Sequence, residues 1–272
     1  MAGKLYIVGT PIGNLGDMSS RAIEVLNAVD FIAAEDTRVT LKLLTHFDIK
    51  KKLISYYEHN KKDKGAEILN RILAGESCAV VTDAGMPCIS DPGEDLVRQA
   101  HIMGVCVEAV PGPSAVITAL AVSGMQTGRF TFEGFLSMNK PSRRQHLAEI
   151  KNEKRTMIFY EAPHKLLNTL KDMLECFGER NITLARELTK LHEEIIKTTL
   201  SEAVERYSEN PPKGEFVLII EGANEAKEEY SLEDAINEAK AWVQKGESAS
   251  VAAKRAAELT GFKKGEIYKA LF

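Results

Sequence analysis

The chain has 272 residues, of which 44% are hydrophobic and 27% charged, and these proportions are ordinary for a globular protein of about two domains. Its formal net charge of -4 excludes attraction of nucleic acid by overall charge, so any contact with RNA must depend on local basic patches. The four cysteines form no CxxC pair, which argues against a zinc site and favours reduced thiols in the cytosol. No apolar run approaches the roughly 20 residues that span a bilayer. We therefore expect a cytoplasmic protein without a membrane partner.

Strands and helices alternate through the first half of the chain. The short apolar run at residues 5–8 predicts a first strand, and Ser20–Ala28 has apolar residues at helical spacing. Further strands are predicted at Phe31–Ala34 and at residues 77–82 and 105–110, and further helices at residues 62–74, 94–103 and 114–122. This alternation is typical of a mostly parallel α/β sheet.

The second half has a different order of elements. Strands are predicted at Phe130–Phe135, Phe216–Ile220 and residues 157–160, 181–185 and 195–199, with a helix at residues 164–176. Because several strands come late, we expect a mixed sheet here. Residues 222–230 have the polar composition of a linker, and residues 231–272 are predicted to be helical. The predicted domains are therefore an α/β domain at 1–123, a second α/β domain at 124–222 and a helical domain at 231–272.

A glycine-rich loop follows the first strand. Its glycines lie at Gly9, Gly13 and Gly16, whereas a dinucleotide-binding GxGxxG loop places them at other offsets and needs the N–H that Pro11 lacks. No Gly-Lys-Ser or Gly-Lys-Thr follows, which excludes a P-loop. The loop could admit a ligand near its backbone but is not built for phosphate. Taken alone, a plain turn from strand to helix is favoured.

Two more loops of small residues follow strands. Residues 83–93 contain two glycines, two prolines and two aspartates, and this loop is longer than the roughly 2–6 residues that a simple connection needs. Residues 110–115 again join a strand to a helix. Because the carboxyl ends of parallel strands meet at one edge, the three loops predict a ligand pocket there. The alternative is three independent turns.

Polar side chains also follow strands and are candidates for catalysis. Glu35 and Asp36 precede Arg38, so a carboxylate could accept a proton while the guanidinium holds a phosphate. The alternative is a helix N-cap with local ion pairs. His59 follows a further strand and is a minor candidate base, since a lone histidine is more often structural. His192 begins an HExxH pattern that fails at Ile196, and no metal is expected.

Two basic segments are candidates for RNA contact. Residues 129–155 hold seven Lys or Arg against three Glu, and Lys140, Arg143 and Arg144 form a compact basic turn suited to phosphates. A solvated helix face is the alternative. Near the end of the chain, a Gly-containing turn precedes Lys263 and Lys264 with the spacing of a helix-turn-helix. A helical docking domain that binds no nucleic acid is the alternative there.

Six motifs in order resemble one known family. They are LYIVGTPIGNLG at residues 5–16, AEDTRVT at 34–40, DAGMPCISDPG at 83–93, VPGPSA at 110–115, YEAPH at 160–164 and ARELTK at 185–190. Together they are similar to the tetrapyrrole-methylase superfamily and, within it, to the branch of ribosomal small-subunit RNA methyltransferases I. The resemblance covers nearly the whole chain, and the ordered set is specific where any single motif is not.

The resemblance implies two α/β domains with the methyl donor in the cleft between them, followed here by the small C-terminal helical domain. It implies an S-adenosylmethionine-dependent homodimer that methylates the 2′-hydroxyl of a cytidine ribose in the decoding region of 16S rRNA, within the 30S subunit. Methylation of a small tetrapyrrole is the alternative activity. The donor site that the resemblance implies comprises Gly9, Pro11, Ile12, Asp83, Gly85, Pro87, Ser114, Ala115, Tyr160 and Leu188.

Overall fold

The computed structural model describes residues 3–223 and 230–272. The chain divides into two compact units, Met1–Ala223 and Asn224–Phe272. The larger unit contains two five-stranded sheets, and the smaller unit is helical. In the described residues, no helix has the length and apolar composition needed to cross a lipid bilayer.

The first sheet is parallel throughout. Its strands lie side by side in the order β3-β2-β4-β1-β5. Every residue of the central strands β2 and β4 is buried, as expected when helices cover both faces of a sheet. The carboxyl ends of the strands meet at one edge, where open α/β sheets bind ligands. The bounds are β1 (Lys4–Val8), β2 (Phe31–Ala34), β3 (Lys52–Ser55), β4 (Cys78–Val81) and β5 (Cys106–Val110).

Helices connect these strands, and side-chain caps mark where the first two helices begin. The Ser19 hydroxyl accepts the Ala22 N–H at 3.1 Å and begins the first helix, while an Asp36 carboxylate oxygen accepts the Arg38 N–H at 2.8 Å and begins the second. Such side-chain caps satisfy N–H groups that a helix leaves without partners. The bounds are α1 (Ser20–Ala28), α2 (Thr37–His46), α3 (Lys61–Leu73), α4 (Glu94–Ile102) and α5 (Ala115–Ser123).

The second sheet is mixed, with the order β6-β7-β10-β8-β9. Strands β6 and β7 are parallel, and the other neighbours are antiparallel. The central strand β10 is apolar and entirely buried. The strands are β6 (Phe130–Phe135), β7 (Thr156–Glu161), β8 (Asn181–Arg186), β9 (Glu194–Thr199) and β10 (Phe216–Ile220). The helices that follow β6, β7 and β9 are α6 (Lys140–Glu149), α7 (Pro163–Phe177) and α8 (Leu200–Glu209).

Helix α5 covers one face of the second sheet, whereas α6, α7 and α8 supply residues to the core on its other face. Val116 and Leu120 of α5 belong to one apolar cluster with Ile158, Leu188 and Val217. The helix that follows the last strand of the first sheet is thus packed into the second sheet. This packing joins the two sheets within one compact unit, and the boundary at residues 123/124 stays a prediction.

The C-terminal unit is a small bundle of helices around an alanine-rich core. Ala239, Ala253, Ala256 and Ile267 are buried together. Gly261 ends the second helix in a left-handed conformation with φ 78°, which glycine adopts without the steric cost that other residues meet. The helices are α9 (Leu232–Gln244), α10 (Ala249–Thr260) and α11 (Lys264–Lys269).

The predicted fold class is confirmed, including the mixed second sheet and the helical tail. Helices α2, α6 and α8 were not predicted. The predicted basic turn at Lys140–Arg144 is the first turn of α6, which corrects that expectation. Apolar periodicity could not indicate α6, because its buried residues are only Arg143 and Leu147. Of the predicted linker at residues 222–230, positions 224–229 lie outside the described residues.

Candidate active site

The three small-residue loops meet at the carboxyl edge of the first sheet. Thr10 and Gly85 exchange two backbone hydrogen bonds, at 2.9 and 3.1 Å. Gly9 and Gly112 pack so closely that a β-carbon added at Gly9 would lie 2.7 Å from the Gly112 Cα. The loops after β1, β4 and β5 therefore touch one another rather than forming independent turns, and where Gly9 meets Gly112 only glycine fits.

A cavity of about 550 Å³ opens beside these loops. The loop after β4 forms one wall, with Asp83, Gly85 and Asp91, and Ser114 at the start of α5 adjoins it. Tyr160, Leu188 and Val217 form the apolar wall on the side of the second sheet. The cavity therefore lies between the two sheets and combines an acidic side with an apolar side.

The loop after β1 also contacts the segment that follows β8. The Asn14 N–H donates to the Thr189 hydroxyl at 3.1 Å, and a β-carbon added at Gly13 would lie 2.5 Å from the Lys190 side chain. Thr189 and Glu187 both have positive φ, at 65° and 51°, which non-glycine residues seldom adopt. The ARELTK segment thus holds a strained backbone directly against the first loop.

Aromatic packing fixes the position of Tyr160 in the apolar wall. Its ring lies 5.0 Å from that of Phe132 and 5.3 Å from that of Phe135, measured between centroids. Burial raises the pKa of Tyr160 to about 12, so its hydroxyl stays protonated at neutral pH. Tyr160 offers a flat apolar surface with a hydroxyl donor at its end.

Three carboxylates line the acidic side of the cavity, namely Glu35, Asp83 and Asp91. The Thr82 hydroxyl donates to a Glu35 carboxylate oxygen at 2.7 Å. Burial raises the pKa of Asp91 to about 6, and the nearby Glu35 and Asp83 carboxylates add to the rise. Burial and the neighbouring Glu35 also raise the pKa of Asp83. A pKa of about 6 places the change of charge of Asp91 close to neutral pH.

Asp36 and Arg38 form the helix N-cap with a local ion pair that was the alternative to a catalytic role. Asp36 caps α2, and its carboxylate receives the Arg38 guanidinium in a bidentate pair with distances of 3.0 and 2.6 Å. This pairing lowers the pKa of Asp36 well below its usual range. The Arg38 side chain is 87% exposed. The Asp36 N–H donates to Asp83 at 3.2 Å, so the capped helix start supports the cavity wall.

His59 lies away from the cavity wall. It is in the loop between β3 and α3, with its ring 6.1 Å from that of Tyr57, and it is absent from the described residues that line the cavity. Of the predicted catalytic residues, the structure therefore places Glu35 in the wall and Asp36 directly behind it.

The residues predicted to hold the donor divide into a lining set and a supporting set. The supporting set does not line the cavity but forms the loops behind its wall. It comprises Gly9, Pro11 and Pro87. Gly9 donates its N–H to the Val110 carbonyl at 3.0 Å. The lining members of the predicted set are Ile12, Asp83, Gly85, Ser114, Ala115, Tyr160 and Leu188.

Sequence reasoning missed several residues of the cavity. The sequence pattern gives Asp91 no role beyond its place in the loop, and Thr82 ends a predicted strand. His164 lies in the YEAPH motif and also lines the cavity. Cys88 and Ser90 have positive φ, at 69° and 68°, so the loop bends twice between Asp83 and Asp91. That bend, which has no pattern in the sequence, is what places Asp91 in the cavity wall.

The basic residues of α6 differ in their surroundings. Arg143 is buried and donates to Asp172 of α7 at 2.8 and 2.6 Å. Arg144 is more exposed and pairs with both Asp172 and Glu175. Lys140 is exposed at the start of the helix. RNA contact by this segment stays a prediction, and the geometry makes Lys140 and Arg144 the accessible members of the set.

Lys263 and Lys264 lie at the start of α11 and are exposed. Lys264 donates to the Ser250 hydroxyl at 3.0 Å. The turn around Gly261 joins α10 to α11 as a helix-turn-helix does. Contact of these lysines with RNA stays a prediction.

Known proteins resemble this chain in sequence. The model of the family described as Tetrapyrrole (Corrin/Porphyrin) Methylases matches residues 4–204. Ribosomal RNA small subunit methyltransferase I of Synechocystis sp. is 48% identical over 98% of this chain and 96% of its own length. The proteins of that name from Bacillus subtilis and Escherichia coli O157:H7 are 42% and 46% identical, each over 98% of this chain and 94% of their own length.

Solved structures share the fold at low sequence identity. A uroporphyrin-III C-methyl transferase from Thermus thermophilus, complexed with S-adenyl homocysteine, is 17% identical over 80% of this chain and 97% of its own, with a TM-score of 0.57. A conserved hypothetical protein from Aeropyrum pernix is 14% identical over 100% of this chain and 96% of its own, with a TM-score of 0.61. At such identities the likeness concerns the fold alone.

Proposed function

This chain belongs to the tetrapyrrole methylase family and, within it, to the ribosomal RNA small subunit methyltransferase I family, and on that premise we propose that it transfers the methyl group of S-adenosylmethionine to small-subunit ribosomal RNA. The observation that carries the proposal is the convergence of the loops at Thr10, Gly85 and Gly112 beside one cavity. These are the loops whose motifs resemble the family.

The residues present fit S-adenosylmethionine. A volume of about 550 Å³ lies within the usual range for small-molecule sites. Ile12, Tyr160 and Leu188 offer apolar surface for an adenine ring, and the Asp83 carboxylate favours a positively charged sulfonium and amino group. When bound, S-adenosylmethionine supplies a methyl group that its positively charged sulfur activates for transfer.

The chain's own residues align the acceptor and take up its proton. Methyl transfer needs an in-line approach of the reacting atoms, about 3–3.5 Å apart, and a ribose hydroxyl is a weak nucleophile that benefits from a base. Asp91 accepts the hydroxyl proton in the proposed reaction, because its pKa of about 6 keeps it mostly ionised at neutral pH. Glu35 shares this wall of the cavity, whereas Asp36 is held in its pair with Arg38.

The finer parts of the proposal come from the family resemblance. We assign the acceptor to the 2′-hydroxyl of a cytidine ribose in the decoding region of 16S rRNA, presented within the 30S subunit. We propose that the enzyme is a cytoplasmic homodimer. Lys140, Arg144 and the lysines at the start of α11 are the proposed contacts to RNA phosphates, supported by their exposure and by the attraction of Lys and Arg for phosphate.

Tetrapyrrole methylation is the competing activity, and an acceptor assay separates the two. The enzyme is incubated with radiolabelled S-adenosylmethionine and either unmodified 30S subunits or uroporphyrinogen. We expect label in 16S rRNA, at a single nucleotide located by primer extension at low nucleotide concentration. Labelled porphyrinogen with blank 30S subunits would overturn the proposal.

A further inference from the structure

We propose that the groove between α6 and α7 binds the phosphates of the ribosomal RNA strand that flanks the methylated nucleotide. The inference rests on the proposed function and adds to it the path along which the RNA reaches the donor cavity. The groove has a volume of about 600 Å³ and contains five cationic side chains against two carboxylates. In a chain whose net charge is -4, such a local excess is the electrostatic pattern of an RNA-binding surface.

Helical spacing puts the groove side chains of α7 on one face. His164, Asn168, Lys171 and Glu175 recur at intervals of three and four residues, the spacing of neighbours on a helix surface, and they line the groove together. The facing wall is the first turn of α6, which begins at Lys140. The groove therefore has two rigid helical walls.

Internal ion pairs leave three lysines available to a ligand. Asp172 is neutralised by Arg143 and Arg144 together, and Glu175 is paired with Arg144. Of the groove residues in the part of the chain that the structure describes, Lys140, Lys165 and Lys171 make no ion pair. Most of the negative charge is thus already compensated, and the lysine ammonium groups are the free partners for phosphate.

The groove adjoins the donor cavity at one residue. His164 lines both of them, in the first turn of α7. A strand lying along α7 would therefore bring one of its nucleotides to the mouth of the cavity at His164. Single-stranded RNA can splay out one nucleotide from its neighbours, and an open groove beside a cavity suits that presentation.

The dimensions match a short stretch of single strand. Lys165 and Lys171 are six positions apart, which is about 9 Å along the helix axis. A stacked strand rises by roughly 3.4 Å per nucleotide, so the two lysines can reach phosphates about three nucleotides apart. Glu175, which is paired with Arg144, marks the end of the attractive surface.

The test is a double charge reversal, Lys165→Glu with Lys171→Glu, in the full-length protein. The probes are unmodified 30S subunits in steady-state methylation and a labelled single-stranded RNA in salt titrations. We expect KM for 30S subunits to rise about tenfold or more and the slope of log affinity against log salt to fall by about 1.4, since each lost single-strand contact removes about 0.7. Calorimetric affinity for S-adenosylmethionine should not change.

The matched control is Lys50→Glu with Lys51→Glu, which makes the same change of charge next to α2 and before β3, an edge strand of the first sheet. A KM for the groove variant within twofold of the control would overturn the proposal. An equal loss of affinity for the donor would also overturn the proposal, because damage to α7 would then account for the effect. The double variant Lys165→Gln with Lys171→Gln keeps the side-chain volume and repeats the measurement with less perturbation.

The occupant of the groove is identified by comparing 30S subunits with naked RNA. The groove variant could lose affinity for 30S subunits while its binding to naked RNA and the salt slope of that binding stay unchanged. That result would indicate that a ribosomal protein, and not the RNA strand, occupies the groove, and it would overturn the proposal. If the unaltered enzyme labels no 30S subunits, the proposed function fails first. In that case the salt dependence of binding to naked RNA alone tests the groove as an RNA-binding surface. A slope that is the same in the groove variant and the unaltered enzyme would overturn the proposal.

Discussion

Single residues at the cavity derive their properties from burial and neighbouring charge. Asp36 and Asp91 are both aspartates near the carboxyl edge of the first sheet, yet the Arg38 pair lowers the pKa of one and burial raises the pKa of the other. The same side chain is thereby a permanently charged helix cap in one place and a carboxyl that titrates near neutral pH in the other.

Replacement Asp91→Asn tests the proton acceptor. We expect kcat to fall about a hundredfold with little change in donor affinity, because the amide keeps the shape of the side chain but cannot accept the proton. In the unaltered enzyme, kcat/KM for S-adenosylmethionine should fall as the pH drops through about 6, the pKa of Asp91, since kcat/KM reports the groups of the free enzyme and protonation removes the base. The variant should lack this acidic limb in a pH–rate profile.

The control for Asp91 is Asp63→Asn on the exposed surface of α3, which should leave the profile unchanged. A variant Asp91→Asn with normal kcat would exclude Asp91 as the base. A variant that loses donor affinity instead of kcat would assign Asp91 to the binding of the sulfonium or amino group.

Replacement Gly85→Val tests the donor site. Gly85 has φ +89°, and a β-carbon there would face Ile12 at 3.4 Å and the Pro113 carbonyl at 3.6 Å, so the valine methyl groups would intrude on the cavity. We expect no measurable binding of S-adenosylmethionine by calorimetry. Gly104→Val is the matched control, since Gly104 also has positive φ, +71°, but no neighbour within 4 Å of an added β-carbon. Donor binding by folded Gly85→Val protein would refute the site.

At the scale of elements, α6 is held by charge more than by apolar burial. Its buried residues are Arg143 and Leu147, and Arg143 joins it to α7 through Asp172. Burial by itself would raise the pKa of Asp172, but hydrogen bonds from Arg143 and Arg144 hold it below its usual value. The stability that this carboxylate provides is present at neutral pH and is lost as pH falls through its lowered pKa.

Replacement Asp172→Ala tests this link. The Arg143 and Asp172 side chains are 10% and 5% exposed, so the change leaves a buried guanidinium without the carboxylate that balances its charge. We expect the free energy of unfolding to fall by about 3 kcal/mol, measured by urea denaturation. Glu108→Ala, at an exposed pair with Lys4, should cost far less. Equal losses in the two variants would mean that α6 is held by something else.

At the scale of the whole molecule, the distribution of charge explains how an acidic protein can act on RNA. The net charge of -4 disfavours adhesion to nucleic acid in general. The basic groove between α6 and α7 and the acidic wall of the cavity between the sheets are instead lined by different residues, and they are the proposed sites for phosphate and for a cationic donor. His164 lies where the two regions meet.

The sequence by itself determined the fold class and the family, and it predicted that three loops would meet at one pocket. Strand and helix periodicities act locally, and motifs such as DAGMPCISDPG are contiguous, so both are readable without coordinates. Sequence periodicity could not identify α6, whose attachment depends on an ion pair across 29 positions of the chain.

Only the tertiary structure decided which carboxylates share the cavity and which basic residues remain accessible. The bend at Cys88 and Ser90 brings Asp91 near Glu35 and Asp83, and the packing of α7 on α6 turns Arg143 inward. Titration and accessibility depend on distances between residues far apart in the chain, and those distances are set by folding rather than by any local pattern.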